Sequence, residues 1–285
     1  EPGALQKKIY DLIRDHMLSF TNYNLREKKY LKEIQKAKIV RLMQVASNPK
    51  LISEKSEEFD VFPLGQQEGI RDLDNKIKNL IKEHENENSS KIKSTVNLTR
   101  SIVSQGKKVL IWTPWISNIK LLERELKDLN PVSIWGDVPL NELEDKDDNR
   151  EMRINEFKTN PEVKVLIANP GACGESISLH SVCHDAIYTD RTFNAAQYMQ
   201  SMDRIHRVGL KKGDKINYYI LLTKGTIDET INRRLNEKIS RMYEILRDDF
   251  IPIDLDSSLR AISDLETDEE LDYMNVLKDL KETKK

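Results

Sequence analysis

The chain has 285 residues, of which 38% are hydrophobic and 33% charged, and it carries a net charge of −2. That length suits one large or two small domains, and the polarity predicts a soluble globular protein with long polar helices. Without a basic excess any nucleic-acid contact must be local, and no apolar run approaches the roughly 18 residues needed to cross a membrane.

The first residues, EPGALQKKIY, lack an initiator Met and an apolar leader core, which reads as the cut end of a longer protein. Residues 4 to 46 place Leu5, Ile9, Leu12 and Ile13 at helical spacing and predict two or three helices, stopped by Ser47-Asn48-Pro49. Residues 53 to 90 are polar and charged, including EHENENSS, and predict a solvated helix or loop. From residue 107 short β-rich runs alternate with helical ones. The strands are VLIWT from Val109, VSIW from Val132, VKVLIA from Val163, AIYTD from Ala186 and INYYILLT from Ile216. Helices are expected from Ser117, from about Asn149, around Gln200, and from Thr226, where Thr226-x-x-Glu229 has the form of a capping box. Such alternation predicts a doubly wound parallel α/β sheet with helices on both faces. The runs from Val109, Val163 and Ile216 are nearly continuous and should be central, buried strands. Beyond residue 247 the chain turns acidic and reads as a loosely ordered or peripheral tail. The expected organisation is a helical segment (1–52), a polar linker or surface helix (53–90), the α/β lobe (91–246) and the acidic tail (247–285).

In open parallel sheets ligands bind beyond the carboxyl ends of the strands. The informative residues are then Thr113 and Pro114, Gly136 and Asp137, Asn169 to Gly174, and Asp190 to Asn194. Read as a helix, QYMQSMDRIHRVG from Gln197 puts Gln200, Arg204 and Arg207 on one face. Paired guanidinium groups there suit phosphate oxygens, whereas a solvated face would pair them with Asp203. Gly171 to Gly174, after a strand and before an expected helix start, has the form of an anion-binding turn. Cys173 and Cys183 lack zinc-finger spacing and a disulfide framework, which fits a reducing interior. Their neighbours His180 and His184 leave a Cys/His nucleophile or metal cluster as a minor option beside buried, inert thiols. No Gly-x-x-x-x-Gly-Lys-Ser/Thr loop occurs, and the Asp-Glu pairs at 228 and 268 do not end strands, so the chain carries half of a nucleotide site.

Taken together these segments resemble the C-terminal lobe of Swi/Snf-type ATPases, helicase-like DNA translocases of superfamily two with two RecA-like lobes. QSMDRIHRVG from Gln200 resembles motif six, Gln-x-x-x-Arg-x-His-Arg-x-Gly-Gln, with Leu210 in place of the final Gln. VLIWTPW resembles motif four, and NPGACGESISLH from Asn169 stands at motif five, departing from its usual pattern. Trp135-Gly136-Asp137 with Arg150, Ile154 and Phe157 resembles the Asp-Gly-Ser segment and its Arg-x-x-x-Ile-x-x-Phe helix, interrupted by an acidic loop at about 139–149. TDRTFN resembles Asp-Pro-x-Trp-Asn, keeping Asp190 and Asn194. Pro2, Gln6 and Tyr10 resemble the Pro-x-x-Gln-x-x-x-Tyr stretch after the first lobe, and RLMQVASNPKLI the helix ending in Cys-Asn-His-Pro. The resemblance spans roughly residues 1 to 245.

It implies Arg204 and Arg207 as arginine fingers, with Gln200, Gly174 and Glu175 toward the nucleotide. It implies Thr113, Gly136, Asn169 and Asn194 as parts of a duplex-DNA track. His206 is read as a tie to neighbouring loops or a packed histidine, and Trp112 and Trp115 as packing residues. ATP and Mg2+ would be held mainly by an N-terminal RecA-like lobe outside this chain. The expected setting is cytoplasmic in a prokaryote, toward which the departures point, and nuclear in a eukaryote. Two other readings are a non-catalytic RecA-like module that binds protein or DNA, and an RNA helicase lobe. The paired arginines argue against the first, and the Pro-x-x-Gln-x-x-x-Tyr, Asn-Pro and Arg-x-His-Arg segments against the second.

Overall fold

The computed structural model describes residues 1–19, 28–52, 68–83, 87–136, 138, 149–172, 177–206, 213–247 and 269–282. In chain order its elements are α1 (Ala4–Ser19), α2 (Lys28–Ser47), α3 (Glu68–Glu83), α4 (Ser90–Val103), β1 (Val109–Trp112), α5 (Ile116–Glu125), β2 (Val132–Ile134), α6 (Arg150–Thr159), β3 (Val165–Ala168), β4 (Asp185–Tyr188), α7 (Ala195–Met202), β5 (Asn217–Ile220), α8 (Ile227–Arg247) and α9 (Glu269–Glu282). They form two compact units, Lys91–Leu222 and Glu1–Ser90 with Thr223–Lys285.

The first of these units is a five-stranded sheet in the order β2-β3-β1-β4-β5, every pairing parallel. This is the expected α/β architecture, and its residues explain it. Val109, Ile111, Val165, Ile167 and Ile187 alternate onto one face, where Ile92 and Ile102 of α4 and Ile119 and Leu122 of α5 complete a dry core. On the other face Trp112 stacks on Tyr188 at the same register position, and Tyr188 meets Tyr198 of α7 edge-on, with ring centres 5.0 Å apart. Trp112 and Trp115 are both buried, as the packing reading required.

Two strand expectations hold and one does not. β1 and β3 are buried along their whole length. The run from Ile216 instead forms the edge strand β5, partly exposed, with Ile220 38% accessible. The third interior position belongs to β4, whose Asp185 interrupts the apolar pattern. That carboxylate is buried and accepts hydrogen bonds from Asn217 and Tyr219 of β5. Tyrosine carries a polar tip on an apolar body, so NYYI looks like a core run yet suits an edge.

The helical unit closes its helix ends with side chains distant in sequence. The last carbonyls of a helix have no partner within it. In α2, Gln6 donates to the Val45 and Ala46 carbonyls at 2.8 and 2.9 Å, Thr223 to Ala46 and Ser89 to Ser47, both at 2.7 Å. At the start of α8 the Tyr10 hydroxyl accepts from the Ile227 amide at 2.7 Å. Gln6 and Tyr10 of the Pro-x-x-Gln-x-x-x-Tyr stretch are thus structural caps. The expected Thr226/Glu229 box is rearranged: Thr226 accepts from the Asp228 amide, and the Asp228 carboxylate, not Glu229, reaches back to the Thr223 amide.

Within the acidic tail, residues 269–282 form the helix α9. Its Asp272 is buried and bonds to Arg234 at 2.8 Å and Lys238 at 2.6 Å, while Asp279 pairs with Arg233. Carboxylates that meet cations on α8 supply the partners that buried charge requires.

In α2, Lys38 is only 4% exposed, and burial pushes its ammonium down to about 8 from an ordinary 10.5. The unfolded chain therefore binds more protons between those values, so stability rises with pH there and the penalty is complete below about 8. Lys38→Met should raise the unfolding free energy at pH 7 by about 1 to 3 kcal/mol. The gain should fade as pH climbs from 8 toward 10.5 in paired denaturation curves, and a gain independent of pH would contradict this account.

Candidate functional site: the carboxyl rim of the sheet

The loops that leave the carboxyl ends of β2, β3, β1 and β4 are stitched together by side chains in sheet order. Between the loops after β2 and β3 lies Arg150, at the start of α6. Its Nε donates to the Val138 carbonyl at 2.7 Å, one terminal nitrogen to Gly136 at 2.8 Å and the other to Ala172 at 2.9 Å. The β3 loop joins the β1 loop through Asn169, whose Nδ2 donates to the Pro114 carbonyl at 3.1 Å. The β1 loop joins the β4 loop through Thr113, whose hydroxyl donates to Asp190 at 2.8 Å. Asp190 is the hub of this last joint: it pairs with Lys91 of α4 at 3.1 Å and accepts from Asn118 of α5 at 3.4 Å. Lys91, Thr113, Asn118 and Asp190 are all buried. Such a charge pair is tolerable in the interior because further hydrogen bonds satisfy its atoms.

Set against the sequence expectations, Gly136, Asn169 and Asn194 all lie on this rim, Gly136 and Asn194 exposed. Thr113 lies there too, but it is 0% exposed with its hydroxyl committed to Asp190, so its side chain is not a contact for an external phosphate. Asn194 caps α7, accepting from the Gln197 amide at 2.8 Å. Gly171 is packed so that a Cβ would sit 3.2 Å from the Asn169 side-chain oxygen and 3.3 Å from Gln197 Nε2. Its amide donates to Asn169 Oδ1 and that of Ala172 to the Asn169 carbonyl, so this half of the glycine turn spends its N–H groups internally and does not offer them to an anion. The helix expected after it is a turn over 180–182. Gly174 and Glu175, like Asp137, lie outside the described residues.

The arginine segment differs most from its expected form. Helix α7 ends at Met202 with Asp203 as its C-cap, and tighter bonds from the Arg204 and Ile205 amides follow. Gln200 faces solvent, whereas Arg204 is 7% exposed and directs its guanidinium at the Ile177 carbonyl 3.4 Å away. The Arg204 carbonyl accepts from the Leu179 amide, so Arg204 ties the 177–179 segment to the end of α7. Gln200 and Arg204 therefore do not share one helix face. His206 is exposed, and Arg207 lies outside the described residues.

The Cys/His alternative finds no support at Cys183. Its thiol is buried, donates to the Asp185 and Lys108 carbonyls, and is pushed up to about 12 by burial, which suppresses the thiolate. His184 bonds to the His180 carbonyl and His180 to Ser178. Nothing in the sequence marks Lys91 and Asn118, since a lysine and an asparagine near helix starts carry no signal that distinguishes a buried partner from a solvated one.

The helicase conserved C-terminal domain family matches residues 90–209, which contain β1 to β4 and the whole rim. The ATP-dependent helicase fft1 of Schizosaccharomyces pombe is 29% identical over 189 residues, 66% of this chain and 19% of that protein. The chain therefore spans about a fifth of the length of that relative. The C-terminal part of the Fun30 ATPase domain is similar in structure, with a TM-score of 0.56, 25% identity, and coverage of 82% of this chain and 86% of that one. The Sulfolobus solfataricus SWI2/SNF2 ATPase core in complex with dsDNA has the same fold, at a TM-score of 0.54 and 21% identity over 95% of this chain and 47% of that one. Residues 90–209 thus match the helicase conserved C-terminal domain family, in a chain homologous to the ATP-dependent helicase fft1 and similar in fold to the C-terminal part of the Fun30 ATPase domain.

Proposed function

We propose that this chain is the C-terminal motor lobe of an ATP-dependent translocase on duplex DNA, acting with an N-terminal RecA-like lobe that lies outside it. The observation that carries the reading is the match over residues 90–209, because it contains every loop of the stitched rim. A solved structure of the same fold is a complex with duplex DNA, which favours that ligand. Gly136, Asn169 and Asn194 would follow the phosphate backbone with amides and backbone groups, which carry no base information. ATP and Mg2+ would be bound mainly by the first lobe, since the described half of the glycine turn keeps its N–H groups for itself. ATP supplies the phosphoryl group whose transfer drives movement. On this chain's side Arg207 would act as the arginine finger, with Gln200, Gly174 and Glu175 toward the nucleotide. Arg204 would hold the neighbouring segment in place as well as contribute charge. The setting would be the nucleus of a eukaryote or the cytoplasm of a prokaryote.

Purified alone, the chain should hydrolyse no ATP above background. It should bind unrelated duplexes with similar, weak affinity that falls steeply with salt, as backbone contacts require. Joined to its first lobe, it should complete a DNA-stimulated ATPase. Affinity that ignores salt, or that differs markedly between unrelated duplexes, would contradict a backbone track, and a joined enzyme insensitive to DNA would contradict the motor reading.

A further inference from the structure

We infer that Arg150 is a positioning residue for duplex DNA, setting the spacing between two neighbouring segments of the track while making no phosphate contact itself. The inference rests on the proposed track. It starts from where the guanidinium spends its donors. All three of its nitrogens donate to backbone carbonyls, Gly136 and Val138 after β2 and Ala172 after β3, at 2.7 to 2.9 Å. Such charge-assisted bonds are about twice as strong as neutral ones. A planar fork can hold three carbonyls in one fixed arrangement, which a single ammonium cannot reproduce.

The placement of these carbonyls gives the fork its consequence. Gly136 is one of the proposed track residues, and Ala172 belongs to the turn that Asn169, another of them, organises through its side chain and carbonyl. β2 is an edge strand, paired among the described residues only with β3, so the loop that follows it has no described strand neighbour beyond. Arg150 supplies the missing constraint. Its own backbone is anchored in turn: buried Asn149 caps α6 through the Met152 amide at 3.0 Å. One turn on, Arg153 donates to the Ser133 carbonyl at 2.7 Å and lies over the Trp135 ring. The first turn of α6 is thus pinned to β2 and to the residue that precedes Gly136, and Arg150 carries that rigidity across to the β3 loop. Backbone groups that follow a phosphate chain must keep a fixed separation, and a misplacement of about 1 Å is enough to matter at a preorganised site.

Three modes of action predict different salt dependence, so the test measures binding of this chain to a fluorescein-labelled 20-base-pair duplex by anisotropy across a salt series, alongside melting curves. For Arg150→Ala and Arg150→Lys the affinity should fall about tenfold, with the slope of log affinity against log salt unchanged and folding retained at the assay temperature. A slope reduced by about one would mean that Arg150 neutralises a phosphate directly and would overturn the inference. So would wild-type affinity in Arg150→Lys, because charge rather than the fork would then suffice. Unchanged affinity in both variants would reduce Arg150 to a structural tie. Should Arg150→Ala fail to fold, Arg150→Lys, which keeps the charge and most of the stem, decides alone. A wild-type chain that binds no duplex at low salt would instead remove the track, and with it the functional reading on which Arg150 depends.

Discussion

Arg207→Ala, introduced into the enzyme that joins this chain to its first lobe, is expected to lower DNA-stimulated ATP turnover by about 10³-fold or more, with a smaller effect on ATP binding. Phosphoryl transfer depends on positioning and on stabilising charge as it develops on the phosphoryl oxygens. A finger therefore acts in the transition state more than in the ground state. Arg204→Ala is the informative companion. Its side chain is buried against the Ile177 carbonyl, so its loss should lower the melting temperature as well as turnover. Arg207→Ala should leave melting unchanged. Measuring kcat, KM for ATP and melting on both variants separates the roles. Wild-type turnover in Arg207→Ala would end the finger assignment, and intact turnover with lowered melting in Arg204→Ala would make that residue structural only.

Replacing Ile111 by Asp should unfold the sheet unit. Ile111 is 0% exposed, in the central strand β1, with β3 and β4 hydrogen-bonded on either side and α4 and α5 residues packed over it. A carboxylate there loses the transfer energy of the isoleucine and places an unpaired charge among aliphatic groups, a cost of several kcal/mol. That is comparable with the whole stability of an ordinary domain. Asp185 shows what a carboxylate needs in order to live in this sheet: it sits opposite Val109 and bonds to two β5 side chains, partners Ile111 does not have. Circular dichroism of Ile111→Asp should show no cooperative transition, whereas a normal melting curve would mean that the central strand is misplaced.

The contrast between β1 and β5 shows how far the fold is legible in the residues. VLIW and VLIA are apolar at every position, and a strand buried on both faces needs that property. NYYI imitates the pattern because tyrosine counts as apolar, yet its phenols need acceptors and find them in the Asp185 carboxylate and the Met202 carbonyl, so the run serves an edge. The rim was legible as a location, since strand ends in a parallel sheet converge whatever their residues. Its joints were not. Arg150 acts on carbonyls, which every residue possesses, so no pattern of residue types marks its targets. The arginine helix misled for a related reason: periodicity carries Gln200 and Arg204 onto one face, but Asp203 ends the helix between them, and the partner of Arg204 lies 27 positions away.

The carbonyls that end α2 have a consequence for how the chain is made. They are closed by Gln6, by Ser89 and by Thr223, and the last of these lies 177 positions beyond its acceptor. The helical unit is interrupted in sequence by the whole sheet unit. During synthesis the first 90 residues emerge early but cannot be completed until α8 and α9 follow, whereas the sheet unit has all its strands by Leu222. Chains emerge and fold from the amino end, and exposed apolar surface is a hazard while they wait. The sheet can thus be finished while the Ala46 carbonyl of α2 still lacks its Thr223 donor and α8 and α9 have yet to emerge, so within this chain the unit that begins first matures last.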